Sequence, residues 1–184
     1  RHQQFDQFLI RELAIAKGDP GSLMSAYNKV NGIYSGEHDW LLNQVLKGEW
    51  GYKGFVMSDW GGVHSGAKAA MAGLDQESAG EVFDSEVFFD KPLRDSLAKG
   101  EFPKSRLDDM ARRILRSLFA HGVIDDPVKG GKPPYAADRV VARDTLEAGA
   151  VLLRNEKALL PLTGKGQSVV VIGGHADKGV LAGG

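Results

Sequence analysis

Gly54-Phe55-Val56-Met57-Ser58-Asp59-Trp60-Gly61-Gly62 is the stretch on which the reading of the fold turns. A short, mostly apolar run that opens on one glycine and stops at a glycine pair has the length of a buried strand rather than a helix. Its last residues carry a carboxylate and an indole. If the strand belongs to a barrel of parallel strands, a side chain at its C-terminal end faces the active-site mouth. There a carboxylate serves as nucleophile or general base. Aspartate is also a good N-cap, so the pattern alone leaves Asp59 either reactive or capping the next helix.

Working outward, the residues upstream repeat the design. Phe5, Phe8, Leu9, Leu13 and Ala16 recur at helical spacing and Gly18 follows as the expected cap. Residues 22–27 read as a second buried strand, delivering Tyr27 and Asn28 to its end. Residues 28–36 read as a loop and 37–47 as a helix closed by Gly48. On pattern alone Tyr27 is a hydrogen-bond donor to a nearby carboxylate or a core tyrosine. Downstream, 65–72 reads as a helix and Gly73-Leu74-Asp75 as a third, very short strand. Asp75 and Glu77 read as loop acids facing water. Residues 105–121 form the clearest amphipathic helix, with Ser105 as N-cap and Arg112, Arg113 and Arg116 on a solvated face. Residues 125–135, rich in Pro and Gly, have no period and read as a linker. Beyond it come a predicted helix at 137–148 and predicted strands at 151–153 and 169–172. Strands alternating with helices make the fold class α/β, with parallel strands.

Composition removes several classes of function. The formal net charge of −1 gives no basic surface for nucleic acid, and no apolar run reaches a membrane span. With no cysteine there is no disulfide, thiolate metal site or cysteine nucleophile. The histidines at 2, 38, 64, 121 and 175 lack metal-motif spacing, and His64 reads as a helix-start residue. No metal or organic cofactor is expected. The run ending Gly173-Gly174 fails the dinucleotide fingerprint, because His175 stands where glycine is needed, and fails the phosphate-loop template at Val180.

The motifs taken in order resemble glycoside hydrolase family 3, the β-glucosidases and their relatives. The resemblance runs from Met24-Ser25-Ala26-Tyr27-Asn28-Lys29-Val30-Asn31-Gly32 through Gly54-Phe55-Val56-Met57-Ser58-Asp59-Trp60 and Ala72-Gly73-Leu74-Asp75. It continues to Ala150-Val151-Leu152-Leu153-Arg154-Asn155, Leu159-Leu160-Pro161-Leu162 and Val171-Ile172-Gly173-Gly174-His175-Ala176-Asp177. It implies that residues 1–122 are the C-terminal portion of a (β/α)8 TIM-type barrel, 123–136 an interdomain linker, and 137–184 the start of an α/β sandwich domain. It also implies that Asp59 is the catalytic nucleophile, that Trp60 and Met24 line the sugar site, and that Tyr27 hydrogen-bonds the nucleophile.

The implied activity is that of a retaining exo-acting β-glycosidase on an oligosaccharide or glycoside, through a covalent glycosyl-aspartate. A β-xylosidase, a β-N-acetylglucosaminidase or a non-catalytic carbohydrate-binding piece are the alternatives. The family's general-acid glutamate, its Lys-His motif and its sugar-binding Asp and Arg match no residue here. The chain is therefore expected to be an incomplete piece, and inactive alone because an open set of barrel strands leaves unpaired edges. Neither compartment nor oligomeric state follows; a soluble periplasmic or secreted protein is compatible with the composition.

Overall fold

The computed structural model describes residues 12–78, 85–162, 164, 166 and 168–179. The predicted stripe of Phe5, Phe8 and Leu9 lies outside them. The chain divides into two units, Arg1–Lys129 and Gly130–Gly184.

In the first unit, helix α1 covers residues 12–18. It runs through Gly18, and the left-handed residue that ends it is Asp19, with φ of 39°. Strand β1 (Ser22–Met24) stops short of Tyr27. The predicted loop is a hairpin instead, β2 (Lys29–Val30) paired antiparallel with β3 (Ile33–Tyr34). Asn31 and Gly32 turn it with φ of 50° and 85°, the positive pair that a two-residue hairpin turn requires. A 3-10 turn, Ser35–Glu37, leads to a wide π-helix, Trp40–Glu49, which begins later than expected and includes Gly48. Its i→i+5 closure is seen where the Trp50 N–H donates to the Val45 carbonyl at 2.9 Å.

Strand β4 (Phe55–Met57) pairs in parallel with β1, Ser22 opposite Phe55 and Met24 opposite Met57. The third predicted strand contracts to a single parallel bridge between Met57 and Gln76 on the other side of β4. Three helices complete the unit: α2 (Ala67–Ala72), α3 (Lys91–Ala98) and α4 (Lys104–Ala120). Helix α3 has no counterpart in the sequence reading. Helix α4 starts after an extended Pro103 with no side-chain cap, so Ser105 lies inside its first turn. The core is Leu42, Leu46, Tyr52, Val56, Val63, Ala69 and Leu74, with a neighbouring cluster of Ala70, Leu93, Phe102 and Met110.

One carboxylate organises this packing. Asp75 is 2% exposed. It accepts from Lys47 Nζ at 2.9 Å, from an Arg106 nitrogen at 2.7 Å and from the Val56 N–H at 2.8 Å. It thus joins the π-helix, α4 and β4, whereas the sequence pattern read it as a solvated loop acid. The arginine face of α4 divides in the same way. Arg113 is half-buried and donates to the Tyr52 and Gly54 carbonyls at 2.9 and 3.1 Å, while Arg112 and Arg116 are exposed. Burial pushes the Lys47 ammonium down to about 8, against the attraction of Asp75.

In the second unit α5 (Tyr135–Gly149) is followed by a 3-10 turn, Glu156–Ala158. The predicted strands at 151–153 and 169–172 do not form. Leu153 and Ile172 are 91% and 90% exposed, and the described residues of this unit offer these runs no pairing partner. A lone strand has no ladder to join. The described part of this unit therefore holds no α/β layer. Residues 127–134 carry neither helix nor strand.

Asp75→Asn is expected to destabilise the fold by about 3 kcal/mol or more, because Lys47 would stay buried without a counter-charge and Arg106 would keep only Asp109; chemical denaturation checks it. The folded state holds the Lys47 proton less tightly than the unfolded chain, whose value is the ordinary 10.5. Between about pH 8 and pH 10 the unfolded state therefore binds more protons, and stability rises with pH by on the order of 2 kcal/mol. Above that window Tyr52, whose phenol burial raises, acts in the opposite sense. Urea titrations stepped through this range should show the rise, and Lys47→Met should remove it.

Candidate active site

Asp59 stands two residues beyond β4, and Tyr27 stands three beyond β1. Because the strands are parallel and Met24 lies opposite Met57, both chains leave the sheet at the same end. Met24, Tyr27 and Trp60 are each about half exposed there, and Asp59 is half-buried. The structure thus brings all four expected site residues to one strand-end face.

Local bonding fixes the carboxylate more tightly than the sequence suggested. Ser58 is fully buried; its N–H donates to the Gln76 carbonyl and its Oγ accepts from the Ser78 N–H, both at 2.9 Å. Asp59 is therefore held from behind through the residue before it. On the other side the Gly62 N–H donates to the Asp59 carbonyl at 3.0 Å, closing a tight turn. The next helix begins at Ala67 after Gly66 with no side-chain cap, which removes the N-cap reading of Asp59.

Asp59 Oδ1 accepts the Trp60 N–H at 2.8 Å. His64 is not a helix-start residue. Its ring stacks on Tyr34 with centroids 3.7 Å apart. Glu77 accepts the Phe89 N–H at 2.6 Å rather than facing water alone.

The sequence reading passed over Glu37. Its carboxylate is buried and accepts from Ser65 Oγ at 2.6 Å and Lys68 Nζ at 2.7 Å. Burial by itself would raise its pKa, but the Lys68 and Ser65 hydrogen bonds outweigh that and hold it below the usual carboxylate range. A cavity of about 530 Å³, lined by Leu23, Ser25, Leu41, Trp50 and Val56, reaches Met24 but not Asp59, Tyr27 or Trp60. Among the described residues no three His, Asp or Glu side chains gather as a metal-holding group, and no helix is long and apolar enough to cross a membrane.

The pattern of the glycosyl hydrolase family 3 N-terminal domain matches residues 12–117. The chain is similar to a probable beta-glucosidase J of Emericella nidulans, 37% identical over 175 residues that take in 94% of this chain and 20% of that protein. It is also similar to a probable beta-glucosidase L of that organism, 37% identical, covering 87% of this chain and 24% of the relative. Among solved structures, beta-glucosidase 3B from Thermotoga neapolitana in complex with alpha-D-glucose superposes with a TM-score of 0.67 at 36% identity, over 83% of this chain and 22% of that one. DesR, a beta-glucosidase from Streptomyces venezuelae in complex with D-glucose, gives 0.66 at 37% identity, over 82% and 20%. The chain spans a fifth to a quarter of the length of these relatives.

Ser58→Ala is expected to leave the Ser78 N–H buried without an acceptor, at a cost of about 1–3 kcal/mol. Denaturant unfolding of the variant checks this, and a change within error of zero would show that the bond contributes nothing.

Proposed function

The chain belongs to glycosyl hydrolase family 3, and on that footing we propose that it carries the nucleophile-bearing part of a retaining, exo-acting β-glucosidase. Residues 1–122 are then the last strand–helix units of a (β/α)8 barrel, 123–136 a linker, and 137–184 the opening of a sandwich domain. The observation that carries the reading is the position of Asp59, half-buried two residues past β4, beside the end of the parallel neighbour β1.

With Oδ1 engaged by the Trp60 N–H, the second oxygen of Asp59 is the one that attacks the anomeric carbon. The sugar–oxygen bond breaks as a glycosyl-aspartate ester forms. A second carboxyl group, about 5–5.5 Å from the first in enzymes of this kind, protonates the leaving oxygen and later draws a proton from the water that cleaves the ester. That group matches no residue of this chain. Trp60 and Met24 offer apolar surface to the bound sugar, and Tyr27 a hydroxyl at the same rim.

In the full-length protein Asp59→Asn should leave folding intact and lower kcat on an aryl β-glucoside by roughly 10³-fold or more, as expected for loss of a nucleophile. Tyr27→Phe should cost no more than about tenfold, the scale of one neutral hydrogen bond. A 2-fluoro aryl β-glucoside, which slows both steps, should leave a mass increment on the peptide containing Asp59. Undiminished turnover by Asp59→Asn, or a label on another residue, would overturn the assignment.

A further inference from the structure

Two loops reach the strand-end face. One leaves β1 after Met24 and carries Tyr27 and the hairpin; the other leaves β4 and carries Asp59 and Trp60. β1 and β4 hydrogen-bond only up to Met24 and Met57, apart from one further bond from the Ser25 N–H to the Met57 carbonyl at 2.8 Å. Beyond that point the sheet does not hold the loops together, yet a nucleophile must stand within a fraction of an ångström of its working position.

From this contact set we infer that Glu37 is a positioning residue: its buried carboxylate fastens the β1 loop to the loop that carries Asp59. Glu37 closes the β1 loop at the 3-10 turn. Its two oxygens are taken by Ser65 and Lys68, which end the β4 loop and open α2. Two other contacts bear on the same seam and two more brace the hairpin beside it. The Tyr34 and His64 rings stack across it, and Lys29 Nζ stands 4.4 Å above the Tyr34 ring. A Cβ added at Gly36 would sit 3.4 Å from Ser25 Oγ and 3.6 Å from the Gly62 carbonyl, so the 3-10 turn runs against both the β1 exit and the nucleophile's turn. At the hairpin's base the Ser35 hydroxyl donates to the Asn28 carbonyl at 2.7 Å. Lys68 keeps its own end in water, being 66% exposed, while the Glu37 side chain is 4% exposed. The anchor is the acid, and both of its partners come from across the seam.

The inference rests on Asp59 being the nucleophile only for its kinetic consequence; the clamp itself is read by hydrogen exchange. In full-length protein, Glu37→Ala should speed amide exchange over residues 59–66 and 27–37 by tenfold or more, with residues 104–120 unchanged. Glu37→Gln, which keeps an acceptor for Ser65 but drops the ion pair, should fall between. On an aryl β-glucoside kcat should drop about tenfold in Glu37→Ala and recover in part in Glu37→Gln, with KM changed far less. Unchanged exchange over 59–66 overturns the inference, as does a loss of protection that extends equally through 104–120. A full-length wild-type protein that turns over no glycoside overturns the catalytic reading instead, and the exchange result still decides the clamp.

Discussion

The fold depends on a carboxylate that no water reaches. Asp75 is held by a lysine, an arginine and a backbone N–H from three separate elements. Removing an ionised carboxylate from water costs several kcal/mol, and only close opposite charges with good geometry offset it. Here both cations are themselves nearly buried, with side chains 7% and 11% exposed. Lys47 and Asp75 depend on this contact most, since Arg106 has a second partner in Asp109 at 2.8 Å. The spare donors are also placed: Lys47 reaches the Gly73 carbonyl at 2.6 Å, and Arg106 reaches the Ala70 and Leu74 carbonyls at 2.7 and 2.9 Å. These carbonyls lie around the end of α2, where Gly73 turns the chain with φ of 111°. The network therefore caps a helix, aligns β4 and docks α4 at once.

What the sequence revealed follows the range of the interaction. Residues 55–57 and 104–120 are legible because their patterns are local: a short apolar run between glycines and an unbroken helical stripe. The hairpin was equally local and was missed by reading Asn31-Gly32 as general loop composition rather than as a turn requiring two positive φ values. Helix α3 was missed for want of length, eight residues with Pro92 in the first turn and Leu93 as its one buried side chain. Asp75 could not be read at all, since its partners lie 28 and 31 positions away. The strand patterns at 151–153 and 169–172 failed for the converse reason. A β-branched run states a preference, but pairing must come from elsewhere in the chain.

The candidate site divides along the same line. Asp59 and Trp60 announce themselves, because an acid and an indole at a strand's end are conspicuous. Their placement beside Met24 and Tyr27 follows from parallel pairing, which the alternation of elements already implied. Strand adjacency brings Tyr27 and Asp59 to one end of the sheet, but it fixes Cα positions, not the direction of a side chain three residues past the last ladder bond. Glu37 was invisible because an acid at the start of an apolar helical stripe reads as ordinary first-turn chemistry, while Ser65 and Lys68 sit 28 and 31 residues downstream.

Three acids near β4 thus have three different fates, and the difference is their partners. Asp75 faces two nearly buried cations and the buried Glu37 faces the exposed Lys68, so the charges of both acids are spent on holding neighbouring elements. Asp59 lies between them in sequence and is the least enclosed, half-buried, with a neutral backbone N–H as its hydrogen-bond donor. A carboxylate tied to a buried cation is a poor nucleophile, because attack would strand that cation without its counter-charge. An acid oriented by a neutral dipole carries no such penalty. The division also accounts for where rigidity is concentrated. The two paired acids immobilise the strand and the loops on either side of the turn, and among the described residues no salt bridge engages the acid that the turn presents.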